Sequence, residues 1–234
     1  MHKFLVVSEK RSGTNLIIRS LATHPSLTNR VWEEPFCHPE MYGMARWWSK
    51  ERVVNNIYRK KQIVGCAIHR REPLPQEWRY LWSECLATRA ERGELAIIDI
   101  KRMNLLERYV SQVIAEESKS WIDTVDKAVH VHQGTLVLDP LAVERDFKAQ
   151  QRSWRHKNHI FRDAKNVLYI TYEQLRDSFD STMNVVQEFI GLEVVSLAPK
   201  TIKRERRTMR SVIENYDEVI AHLITEYPEH LGLD

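Results

Sequence analysis

The sequence predicts an α/β fold: three layers, α/β/α, built on a central and mostly parallel sheet, with a P-loop-like turn near its start. Three observations carry that expectation. Short apolar runs alternate with helix-period segments from end to end, the pattern of a parallel sheet covered by helices on both faces. The first run, Phe4-Leu-Val-Val7, passes through a polar turn directly into an amphipathic helix. No Ser/Gly/Pro linker, internal repeat or low-complexity stretch interrupts residues 1–234, so a single domain is expected.

Strands are expected at 4–7, 63–68, 95–100, 135–138 and 167–170, each a short aliphatic run. Helices are expected near 14–23, 39–60, 76–92, 104–118, 140–162, 179–191 and 211–226. In the third of these, Trp78, Leu81, Trp82, Cys85 and Leu86 recur at i, i+3, i+4, i+7 and i+8, one apolar stripe. Asn104 stands where a cap of the 104–118 helix belongs, with Glu107 in the capping-box position.

The turn after the first strand reads Ser8-Glu-Lys-Arg-Ser-Gly-Thr-Asn15. A strand, tight turn and helix start aim backbone N–H groups and the positive end of the helix dipole at an anion. A nucleoside-triphosphatase loop would read G-x-x-x-x-G-K-[ST]. Here Ser8 stands at the first glycine, Thr14 follows Gly13 with no lysine between, and Lys10 and Arg11 precede the glycine. That order suits an anionic ligand without a metal of its own and argues against ATP or GTP hydrolysis. Read alone, Ser12 to Asn15 is equally an ordinary turn with Thr14 as its cap.

A second segment bears on the first. The run Leu95–Ile100 continues into Lys101-Arg-Met-Asn-Leu-Leu-Glu-Arg-Tyr-Val-Ser111, so Arg102 lies at a strand's carboxyl end. Ser111 follows on the next helix, about 10 Å further along at the helical rise. A nucleotide phosphorylated at both ends has partners of the right kind in the turn and in this segment; a small ligand does not reach both.

Bulk composition narrows the class. Hydrophobic residues make up 43% and charged residues 29%, an ordinary globular balance, and the net charge of +3 is too small for general nucleic-acid binding. The three cysteines, Cys37, Cys66 and Cys85, form no C-x-x-C pair and favour a reducing compartment. With no charged-then-apolar leader and no apolar run of the ~20 residues that span a membrane, a cytoplasmic protein is expected.

The turn Arg11-Ser-Gly-Thr-Asn15 resembles the 5′-phosphosulfate loop, P-[KR]-S-G-[ST], of sulfotransferases that use 3′-phosphoadenosine 5′-phosphosulfate (PAPS). The strand-end Arg102 with Ser111 on the next helix is similar to that family's 3′-phosphate motif. The form K-R-x-N-L-L-x-R-Y-V-S looks like the bacterial glycan and nodulation-factor branch. Asn166-Val-Leu-Tyr-Ile-Thr-Tyr-Glu-Gln-Leu175 with Ser181 to Leu192 resembles the family's "strand, Y-E-x-L, helix, F-x-G-L" module. The tail from Lys200 through Ile213-Glu-Asn-Tyr-Asp-Glu-Val219 resembles its basic loop and last helix. The resemblance runs from residue 4 to about residue 226.

That resemblance implies transfer of a sulfuryl group from PAPS to a hydroxyl or amine of a carbohydrate-like or other small acceptor, leaving adenosine 3′,5′-bisphosphate and needing no metal. Arg11, Ser12, Gly13, Thr14 and Asn15 would bind the 5′ end. Arg102 and Ser111 would bind the 3′-phosphate, with Lys203 and Arg204 of the basic loop closing over it. Lys10 and Arg11 would stabilise the leaving phosphate. Two bases are in view: Glu34, in the Glu34-Pro-Phe36 setting of this branch with Glu33 beside it, and His69, at the end of Gly65-Cys-Ala-Ile-His69. Ala67 stands where the animal enzymes carry a lysine, so lysine assistance from that strand is not expected. The 24–62 connections are the expected acceptor-side flap, and 200–226 the basic loop and C-terminal helix.

Two alternatives stand beside it: a P-loop-type small-molecule kinase, for which Asp99 is an isolated candidate magnesium ligand, and a non-catalytic nucleotide-binding protein of the same fold. Trp47-Trp48 are read first as core residues and only second as a sugar-stacking pair. His130 and His132 with Asp139 lack a third ligand at fixed spacing, and no metal is expected.

Overall fold

The computed structural model describes residues 3–27, 31–32, 51–52, 54–55, 58, 65–69, 76–119, 134–201 and 207–233, and of 32, 65–69 and 76–83 the backbone alone. The chain forms two compact units: Met1–Lys101 with His156–Pro199, and Arg102–Arg155 with Lys200–Asp234.

The first unit carries the sheet. Its strands are β1 (Phe4–Ser8), β2 (Val31–Trp32), β3 (Gly65–His69), β4 (Ala96–Lys101) and β5 (Val167–Thr171), in the spatial order β2-β3-β1-β4-β5. Every pairing is parallel. Side chains alternate across the sheet and both faces are covered, which is why β1 reads as an unbroken apolar run and β4 as one broken only by Asp99. On one face Phe4, Val6, Ile98 and Ile100 pack against Ile17, Ile18 and Leu21 of helix α1 (Thr14–Leu21) and against Met183 and Val186. On the other, Leu5, Val7 and Ile97 meet Leu86 and Ala90 of helix α2 (Gln76–Glu91) and Phe161. The three-layer expectation holds in this unit.

The strand order positions the site. From β1 the chain goes to the β2 edge, returns to β3 beside β1, then passes to β4 on the opposite side of β1. Connections that diverge from a central strand leave a crevice at its carboxyl end, where open α/β sheets bind ligands. The turn from Glu9 to Gly13 leaves β1 at that end.

The second unit is helical. Helix α3 (Leu105–Glu117), α4 (Pro140–Ile160) up to Arg155, and two short helices after residue 208 surround a core of Leu105, Leu106, Val110, Phe147, Val212, Val219 and Leu223. The strand expected at 135–138 is reduced to one bridge, Leu136 to Ile213. Leu136 and Leu138 are buried while Val137 is 71% exposed, so the alternation that suggested a strand records an extended segment lying on helices. The Asn215 amide supplies the missing ladder: its Oδ1 accepts from Leu138 N–H at 3.0 Å and its Nδ2 donates to the Leu138 carbonyl at 2.8 Å.

That pairing explains a second departure. Ile213 is extended, with φ −98° and ψ 116°, and the single helix expected at 211–226 becomes two, Met209–Val212 and Tyr216–Leu223. Between β5 and helix α6 (Phe179–Phe189) lies an unexpected helix, α5 (Tyr172–Asp177). A capping box starts it: Thr171 Oγ1 accepts from Gln174 N–H at 3.1 Å, and Thr171 N–H donates to Gln174 Oε1 at 2.8 Å. The helix expected near 39–60 lies largely outside the described residues.

Candidate functional site

Backbone geometry dominates the turn. Arg11 has φ 64° and Gly13 φ 90°, two left-handed residues separated by one position. Such sequences gather N–H groups into an anion-binding concavity. Gly13 caps α1 in that conformation, and its carbonyl accepts from Leu16 N–H at 3.0 Å and Ile17 N–H at 3.3 Å. No acidic residue occupies the first turn of this helix. Ser8, Ser12 and Thr14 are buried, and the hydroxyls of Ser8 and Thr14 are hydrogen-bonded across the base of the turn. Thr14 therefore closes the loop onto the end of β1; the alternative role, a side-chain cap, belongs to no residue of this helix start. Lys10, Arg11 and Asn15 are half-buried.

Gly13 is required twice over. Its φ disfavours any residue with a Cβ, and a Cβ built there would sit 2.7 Å from Tyr172 Cδ2. The Tyr172 ring, first residue of α5, thus packs on the glycine of the turn. The Y-E-x-L stretch contained Tyr172, but nothing in its spacing tied it to residue 13.

Glu9, the acid of the turn, is drawn to the sheet's other face. Lys157 Nζ lies 3.4 Å from Glu9 Oε2 and pairs also with Asp99, all three side chains under a tenth exposed. Burial raises the Asp99 pKa above its ordinary value; Lys157 and then Lys101 oppose that rise, and Glu9 adds to it. The kinase alternative needs Asp99 for a divalent cation, and an ammonium group already faces it. Lys157 had a legible signal: Val143, Phe147, Trp154, Lys157 and Phe161 follow one apolar stripe, and a lysine inside it needs a buried acid.

The second unit holds Arg102 and Ser111. Arg102 is 5% exposed, and its Nη2 donates to Glu107 Oε2 at 2.6 Å. Asn104 caps α3 as expected, its Oδ1 accepting from Glu107 N–H at 2.9 Å. Of the expected capping box the bond from Glu107 N–H to Asn104 is seen, and the Glu107 carboxylate carries the arginine. Ser111 is half-buried one turn beyond Glu107, so the two share a helix face and the unit brings Arg102, Glu107 and Ser111 to one side of α3. Arg108, two per cent exposed, points elsewhere and pairs with Asp146.

Glu33, Glu34, Lys203, Arg204, Trp47, Trp48, His130 and His132 lie outside the described residues, as do Cys37 and the greater part of the 24–62 connections. His69 ends β3 and Ala67 is its middle residue; only their backbone is described. Arg207, next to the basic run, donates to the Gly134 carbonyl at 3.2 Å. Among the described residues no helix is long and apolar enough to cross a membrane, and no group of three or more His, Cys, Asp or Glu is arranged to hold a metal ion.

No family model matches the chain. It is 25% identical over 235 residues to nodulation protein H of Rhizobium meliloti, an alignment covering 94% of this chain and 90% of that one. Among solved structures it aligns with a sulfotransferase from Alicyclobacillus acidocaldarius at 15% identity and a TM-score of 0.47, covering 100% of this chain and 97% of the other. It also aligns with mouse sulfotransferase SULT7A1 complexed with PAP, at 16% identity and a TM-score of 0.49, covering 83% of this chain and 60% of the other. The alignment with nodulation protein H spans nearly the whole of both chains.

Proposed function

We propose that this chain is a PAPS-dependent sulfotransferase acting on a carbohydrate-like or other small hydroxylated acceptor. The observation that carries the reading is the turn at the end of β1: left-handed Arg11 and Gly13 at a helix start with no acid in its first turn and no lysine after the glycine. Such a turn favours a multiply charged anion without requiring a metal to bridge its oxygens. The pairing of Asp99 with Lys157 leaves the kinase alternative without its magnesium ligand.

In the proposed reaction the acceptor oxygen attacks sulfur in line, a new S–O bond forms, and the bond from sulfur to the 5′-phosphate oxygen breaks. The acceptor proton passes to the base, giving a sulfate ester and adenosine 3′,5′-bisphosphate. Displacements of this kind depend on positioning and charge stabilisation. Lys10, Arg11 and the N–H groups of the Gly13–Thr14 turn meet the charge that grows on the leaving phosphate. Ser12 and Asn15 complete the 5′ subsite; Arg102 and Ser111, with Lys203 and Arg204, recognise the 3′-phosphate. Glu34 is the favoured base and His69 its rival. The similarity to nodulation protein H agrees with the nodulation-factor branch that the Lys101–Ser111 segment resembles.

The test is an acceptor screen with purified protein and PAPS, read by mass spectrometry for an added sulfate. Thermal-shift titration accompanies it. Stabilisation by adenosine 3′,5′-bisphosphate without magnesium is expected, and stabilisation by Mg-ATP alone would overturn the reading.

A further inference from the structure

The Arg102–Asn104 turn is braced from two sides by one short segment that the proposed reaction does not use. His230 ends a 3-10 turn, Pro228–His230, and is 4% exposed. Its Nδ1 lies 3.0 Å from the carbonyl oxygen of Met103. A carbonyl only accepts, so Nδ1 carries a proton and donates, and Nε2 lies 3.3 Å from the Gln151 amide nitrogen. The exposed Glu229 carboxylate lies 3.4 Å from the same Nε2. The ring is held edge-on by Trp154 at 5.6 Å and Phe147 at 6.3 Å. Two residues further on, Gly232 has φ 61°, and a Cβ there would come 2.2 Å from Asn104 Nδ2.

Met103 is the residue between Arg102 and the cap Asn104. The segment therefore grips the Met103–Asn104 peptide, one residue beyond the arginine, and packs on the side chain that starts α3. The Arg102 guanidinium is held at its tip by Glu107, 2.6 Å away, while His230 holds the main chain one residue beyond Arg102. A guanidinium recognises a phosphate only if its donors point at the oxygens, and an error of about 1 Å removes much of that gain.

We propose that His230, with Gly232, is a positioning element for 3′-phosphate recognition: it holds the Met103 peptide so that Arg102 meets the ligand already oriented. The inference rests on the reading of Arg102 as the 3′-phosphate ligand. It makes His230 selective for one end of the nucleotide rather than general to the fold.

The experiment compares calorimetric affinities for adenosine 3′,5′-bisphosphate and adenosine 5′-monophosphate, whose ratio reports the 3′-phosphate alone. In His230→Ala the ratio is expected to fall about tenfold with the monophosphate affinity unchanged, the scale of one misdirected charge-assisted hydrogen bond. His230→Asn, which offers an N–H donor in place of Nδ1, is expected to restore the ratio to within about threefold. Gly232→Ala displaces Asn104 from the other side and is expected to lower the ratio too, so it and His230→Asn decide the matter should the alanine variant not fold. Circular dichroism accompanies each variant. An unchanged ratio in folded His230→Ala or in Gly232→Ala overturns the inference, and so does an asparagine variant no better than alanine. A wild-type ratio near one overturns the reading of Arg102 itself and the inference with it.

Discussion

The two ends proposed for the nucleotide are prepared in opposite ways. The turn after β1 works through its backbone: Arg11 and Gly13 are left-handed, Ser8 and Thr14 tie the loop shut, and Tyr172 packs on Gly13. The Arg102 region works through a side chain whose charge is already matched by Glu107. Backbone donors are set by conformation, so the first region depends on its φ angles before it depends on side-chain charge. A paired guanidinium exchanges one anion for a share in another, so the second contributes a difference between two charge-assisted bonds. One region should fail steeply and the other by degrees.

The largest effect is expected at Gly13. Gly13→Ala adds a Cβ into the Tyr172 ring at a φ that L residues seldom adopt, and should cost about 1–3 kcal/mol of stability and at least ~100-fold in turnover. Adding Tyr172→Ala restores space but not φ, so stability should recover in part and turnover hardly at all. Recovery of both would show that packing, and not backbone conformation, governs this end.

Glu34→Gln comes next. With Glu34 as the base, turnover falls at least ~100-fold while calorimetric affinity for adenosine 3′,5′-bisphosphate stays within about twofold. Unchanged turnover transfers the role to His69, to be checked with His69→Gln.

Arg102→Ala should weaken adenosine 3′,5′-bisphosphate by about 1.5–3 kcal/mol and leave the monophosphate unaffected. An equal loss for both ligands would mean that Arg102 supports the unit and not the phosphate.

The smallest effect concerns the acids beneath the turn. Burial raises the Asp99 pKa above 3.8, so the folded protein holds that proton more tightly than the unfolded chain does. Its contribution to stability is full below 3.8 and is lost as the pH rises through the raised value. Asp99→Asn removes that dependence. The melting temperature of wild type minus that of the variant should therefore grow by about 2–4 °C as the pH falls from 7 toward 4. A flat difference would mean that Lys157 neutralises Asp99 completely.

What was legible divides along the same line. The strands 4–7 and 95–100 were readable because a parallel strand buried on both faces leaves little polar alternation to confuse it. The run 167–170, an edge strand with Tyr169 62% exposed, was readable as a short aliphatic and aromatic run. The Asn104 cap was readable because its partner stands three residues away. Thr171 with Gln174 offered the same short-range signal, and α5 follows from it. The strand at 135–138 misled because alternation reports which side chains are buried, not what buries them; Asn215, 77 residues from Leu138, supplied the partner. Sequence motifs named the glycine, the arginine and the serine of the candidate site without their companions.

By itself the sequence determined whatever is encoded over a few residues: the buried strands, the helix starts, the turn with its glycine, and the order of the motifs. Contacts between distant positions were left to the tertiary structure: Tyr172 on Gly13, Lys157 between Glu9 and Asp99, His230 on the Met103 carbonyl. Hydrogen-bond capacity and apolar period are properties of a residue and its neighbours along the chain. The choice among many possible partners for one buried charge or one imidazole is made only when packing brings a single partner within about 3 Å.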